Sequence, residues 1–183
     1  MNESFFSAPQ LKRGPLGSTY DRALAAGPDS MRIHSTPGTL KRLRRTASTY
    51  FQRTFRTPLK RLPVFVKILS DPSFASASVA VEQVVFPPKH LDSLLSSHQL
   101  PLEYGSGWTI EATGAKECVE LLEATLADWL DFFFLPQPKR FLMYADHDEY
   151  TTLFAARKGS LSRLTTALTA AGVEEIPDYA RSL

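Results

Sequence analysis

Apolar residues are distributed along this chain in three regimes. From Met1 to about Thr39 they stand isolated among Ser, Pro, Gly and Thr, with no sustained period of 2 or 3.6. Such a segment buries too little surface to offset its ordering entropy, and disorder is expected. Thr39–Arg56 is amphipathic. Leu40, Leu43, Ala47, Tyr50, Phe51 and Phe55 fall near one side of a helical wheel, and Lys41, Arg42, Arg44, Arg45, Arg53 and Arg56 occupy most of the rest. Thr39 is placed to cap this helix and Pro58 to end it. Its β-branched and hydroxyl residues lower intrinsic helicity, so a partner is needed to fold it.

From Leu62 the chain is dense in apolar positions, and a compact domain is expected over 62–183. VFVKIL reads as a β-rich strand closed by an SDPS turn, and SVAVEQVVF as a second strand closed by Pro87 and Pro88. Lys89–His98 fits a short helix. Trp108–Ala112 alternates like a half-buried strand, and Ala115–Phe133 reads as a long helix with Val119, Leu122, Leu126, Trp129, Leu130 and Phe133 as its stripe. Arg140–Ala145 and Tyr150–Ala156 form a hairpin around Asp146–Glu149. A helix that follows Gly159 and Ser160 and runs through Ala171, and a closing strand over Val173–Pro177, complete the series.

These elements predict an α+β fold. A ferredoxin-like βαββαβ core over about 108–178 follows a ββα extension and a disordered basic arm, with the arm–domain boundary after Arg61. No repeat is visible in the sequence.

Charge changes the picture more than composition does. Residues 1–61 hold 12 of the 21 basic residues and three of the 19 acidic ones, a net charge of +9; the remainder is at −7. Such asymmetry suits a basic arm that binds RNA, DNA or anionic lipid, a protein partner for the acidic domain, or a contact between the two halves. The anion-binding candidates are Lys41, Arg42, Arg44, Arg45, Arg53 and Arg56. Ser48, in an Arg-Arg-Thr-Ala-Ser sequence, is a candidate phosphorylation site whose modification would subtract charge from the cluster.

Catalytic chemistry is less marked. Asp146, His147 and Asp148 offer carboxylate and imidazole groups, with Glu111 as a third carboxylate, yet a polar hairpin tip uses the same residues for turn geometry alone. The single cysteine, Cys118, excludes an internal disulfide and reads as a small core residue. Phosphate loops, dinucleotide-binding turns, metalloprotease helices and nucleophile elbows are absent, and the sequence calls for no cofactor or metal. No segment is long and apolar enough to span a bilayer as a helix, and the first ten residues lack the pattern of a secretory signal. An intracellular location, cytoplasmic or nuclear, is expected, with organellar import competing for the same basic residues.

The leading expectation is a non-enzymatic binding or adaptor protein whose arm engages nucleic acid or an anionic membrane. The alternatives are a small metal-dependent enzyme using Asp146, His147 and Asp148, and an immunity-type module that neutralises a basic protein.

Overall fold

The computed structural model describes residues 30–183, so the expected disorder of the first 29 residues lies outside the described part. The chain folds as β1 (Ser30–Ser35), α1 (Thr39–Ala47), β2 (Phe51–Arg56), a 3-10 turn at Leu59–Arg61, α2 (Leu62–Leu69), β3 (Ser76–Gln83), α3 (Lys89–Ser97) and β4 (Trp108–Thr113). It continues through α4 (Ala115–Ala127), β5 (Asp131–Gln137), β6 (Leu142–Ala145), β7 (Tyr150–Ala155), α5 (Lys158–Ala170) and β8 (Glu174–Ile176). All eight strands join one sheet in the order β1-β4-β3-β5-β6-β7-β2-β8, every ladder antiparallel.

Both faces of this sheet are covered. Val79, Val81, Phe132, Phe134 and Leu153 point into a large core with α2, α3, α4 and α5. Their neighbours Ala80, Phe133, Tyr144 and Phe154 point the other way and pack against Leu43 and Ala47 of α1. The period-2 alternation of strand side chains thus serves two cores.

Two crossovers organise the sheet. β4 and β5 are joined by α4 and enclose β3, while β7 and β8 are joined by α5 and enclose β2. In each pair the outer strands run parallel to one another, because both are antiparallel to the strand between them.

Several expectations are corrected. The boundary after Arg61 separates no folded units among the described residues, since β1 and β2 are strands of the common sheet and β2 lies between β7 and β8. The amphipathic stretch 39–56 is not one helix: it stays helical only to Ala47, then Thr54 and Phe55 are buried as strand residues. VFVKIL is helical, because Leu62, Phe65, Val66 and Leu69 are buried at helical spacing and Pro63 suits a first turn.

The long helix stops at Ala127. Trp129 takes a left-handed φ of 54°, its N–H donates to Leu126 O, and the N–H of Leu130 donates to Thr125 O, closing a Schellman end. The run Phe132–Leu135 then has no wet face to offer a helix and becomes a strand buried on both sides. Three strands, not two, therefore separate α4 from α5, and the uninterrupted βαββαβ series from Trp108 does not form.

Candidate functional site

The hairpin β6–β7 has two ends of opposite character. Its tip, Asp146–Glu149, carries the residues singled out for catalysis, but each faces a different partner. Asp146 Oδ1 accepts the N–H groups of Asp148 and Tyr150 at 3.0 and 3.1 Å, which shapes the turn, and its Oδ2 accepts from Arg181. The Arg181 Nε–H donates to Thr152 Oγ1 at 3.1 Å, and the guanidinium lies 4.7 Å over the Tyr144 ring. His147 uses its backbone N–H and Nδ1 on Asp131 Oδ1, both at 2.8 Å. That hydrogen bond raises the pKa of His147 against the opposing effect of burial.

Asp148 extends into solvent, 3.9 Å from His147 Nε2. Glu111 sits on β4, three strands away from β6, beside His34. Among the described residues no three His, Cys, Asp or Glu side chains group as metal ligands. Cys118 is fully buried, its thiol aimed at Ala112 O and its pKa pushed up to about 11 by burial and by Glu117. A thiolate nucleophile is disfavoured there.

The basic residues of 39–56 divide in two. Arg44 pairs with Glu82, Arg53 with Glu175 at 3.6 Å and Arg56 with Glu149 at 3.6 Å. Half of the anticipated anion-binding set is thus used within the fold, in the contact between the two halves that their charges suggested. Lys41, Arg42 and Arg45 are exposed and make no ion pair among the described residues. Ser48 is exposed at the C-terminal end of α1, its hydroxyl donating to Arg45 O.

The opposite end of the hairpin gathers cations that sequence reasoning passed over. A cavity of about 710 Å³ opens between α2, α5 and the segment joining β5 to β6, and Lys139, Arg140, Arg157 and Arg163 line it with Asp71 as the one carboxylate. Lys158, next to Arg157 in sequence, lines a separate small cavity with Arg53 and the exposed ring of Phe51. None of Lys139, Arg140, Arg157, Lys158 and Arg163 forms an ion pair among the described residues.

Local structure explains the gathering. Leu142 pairs with Phe154 at the end of the ladder, and the residues just beyond it on either side, Lys139–Phe141 and Ala156–Arg157, meet at the cavity. Arg163 shares with Ser160, Leu164 and Ala167 the face of α5 that borders the cavity, while Leu161 and Leu168 fill the core. Arg140 stacks over Phe74 and donates to Pro72 O, and burial lowers its pKa with Asp71 opposing. Lys139 lies 5.9 Å over the Tyr50 ring. The signal was present in the sequence as two basic pairs, Lys139-Arg140 and Arg157-Lys158, flanking a predicted hairpin whose pairing must bring them together.

Like charges held side by side repel, and a neutralising anion relieves that cost. The α5 N-terminus adds no acid in its first turn and no side-chain cap. At the tip Asp146 pairs with Arg181 and Glu149 with Arg56, and the neighbouring Asp131 pairs with His147, whereas the cations at the other end form no ion pair among the described residues. No protein-family model, curated protein or solved structure matches the chain.

Proposed function

We propose that the protein is a non-enzymatic nucleic-acid-binding protein that engages a single strand at the basic end of its sheet. The observation that carries this is the set of four cations without ion-pair partners among the described residues, Lys139, Arg140, Arg157 and Arg163, around one cavity, with Lys158 next to Arg157 in sequence. Exposed Phe51 and half-buried Tyr50 stand at the same end, offering ring faces to bases while the cations take phosphates. Lys41, Arg42 and Arg45 of α1 add exposed positive charge.

The cations surround a concavity rather than a convex face, which suits a strand lying among them better than the flat surface of a bilayer. The internally paired acids at the hairpin tip weigh against an acidic surface built to neutralise a basic protein. The divergent Asp146, His147 and Asp148 give a metal-dependent enzyme no assembled centre.

On the fold, we read β2, α2, β6, β7, α5 and β8 as a ferredoxin-like unit into which residues 76–137 are inserted, its strands ordered β8-β2-β7-β6. The test of function is anisotropy of the full chain with labelled single-stranded RNA, single-stranded DNA, duplex and anionic vesicles across a salt series. Single strands are expected to bind with a log–log salt slope of about −3, from about 0.7 per phosphate contacted. Binding confined to vesicles, or indifferent to salt, would contradict the reading.

A further inference from the structure

Resting on the reading above, the geometry points to something more specific: the cavity is a pocket for a phosphate monoester, taken from a free nucleotide or from the phosphorylated end of a strand. Four cations against one carboxylate leave the cavity with an excess of three positive charges. A diester phosphate carries one negative charge and offsets little of this. A monoester carries about 1.5 to 2 at neutral pH and three terminal oxygens, which suits several guanidinium groups at once.

The remaining wall is of a different kind. Ile68, Phe141, Leu164 and Ala167 are apolar, and the Tyr50 ring stands at the rim. A ligand with an anionic head and a flat, weakly polar body matches this division, and the volume lies within the range of small-molecule sites, about 300 to 1,000 Å³. One donor already present has no partner: Arg140 Nε is buried without a hydrogen bond, although its Nη2 reaches Pro72 O. The α5 N-terminus, its first turn free of acids, lies on the same side.

The experiment is calorimetric titration of the full chain with inorganic phosphate, adenosine 5′-monophosphate and adenosine, then with a short strand bearing a 5′-phosphate, a 3′-phosphate or hydroxyls at both ends. The monophosphate is expected to bind at least tenfold more tightly than adenosine, and inorganic phosphate to compete with it. Arg157→Glu combined with Arg163→Glu should weaken it tenfold or more at an unchanged melting temperature, because both side chains are exposed. Arg163→Gln supplies a milder variant with the same expected direction, and Lys116→Glu, exposed on α4, should leave binding unchanged.

A strand preferred for one phosphorylated end identifies a strand terminus as the source, and a monophosphate that binds where no strand does identifies a free nucleotide. That second outcome would retire the nucleic-acid reading while upholding the pocket. Equal affinity for monophosphate and adenosine, or monophosphate binding indifferent to the charge reversals, would overturn the pocket, even if strands still bind in a salt-sensitive way.

Discussion

Asp128 is among the few buried acids, its side chain 3% exposed, and it is retained because three donors converge on it. The backbone N–H groups of His90 and Leu91 donate at 3.1 and 2.7 Å, and His90 Nδ1 lies 2.6 Å away, so a carboxylate at the end of α4 caps the start of α3. Asp128→Ala strands those amides, and a loss of about 1 to 3 kcal/mol is expected in urea denaturation. Asp131 repeats the device on His147, with a consequence for pH. The folded pKa of His147 is raised above its ordinary value near 6.5. Its stabilisation is therefore complete below pH of about 6.5 and fades as pH rises through the folded value. Melting temperature should fall over that upper range in the native chain, and His147→Gln should flatten the dependence. A native profile already flat there would show that the pair contributes no net stability.

At the scale of elements, what was legible in the sequence followed local signals. β3, α3, β4, the hairpin β6–β7, α5 and β8 all carry their own period or turn residues, and the structure forms them where expected. The misreadings have separate physical causes. In α2 the β-branched composition of VFVKIL outweighed its spacing, although Leu62, Phe65, Val66 and Leu69 sit at i, i+3, i+4 and i+7. α4 ends without glycine, on Trp129 in a left-handed conformation, which leaves no punctuation to read. β1 carries too few apolar residues to announce itself, and Phe51 and Phe55 of β2 also fit the wheel of the preceding helix; both segments become strands where β4, β7 and β8 supply partners from distant sequence. The helical account of α2 is testable by truncation. Phe65→Ala should cost about 3 to 5 kcal/mol. Val66→Ala should also be clearly destabilising, while the half-buried Val64 tolerates alanine at under about 1 kcal/mol. A strand would instead set Phe65 and Val66 on opposite faces.

At the scale of the molecule, sheet order decides what the chain can lose. β2 precedes the compact sequence block yet stands between β7 and β8, and its Phe55 is fully buried. A chain beginning at Leu62 would leave facing edges of β7 and β8 without their partner, together with the cavity vacated by Phe55. It is expected to lack the cooperative thermal transition of the full chain; a two-state melt from that truncation would show that β2 is dispensable. The same topology explains why the site was hidden. Charge counted along the sequence placed the positive pole in residues 1–61, but folding pairs Arg44, Arg53 and Arg56 with acids and exposes a second positive pole from the nominally acidic half.

That relocation is the central claim, and hydrogen exchange of the full chain with and without a single-stranded oligonucleotide at low salt tests it most directly. The expected result is slowed exchange in 137–142 and 156–164, at the open end of the hairpin and the first turns of α5, with Asp146–Glu149 unchanged. Protection confined to the hairpin tip or to 41–45, or none in 137–142 and 156–164 despite measurable binding, would contradict it.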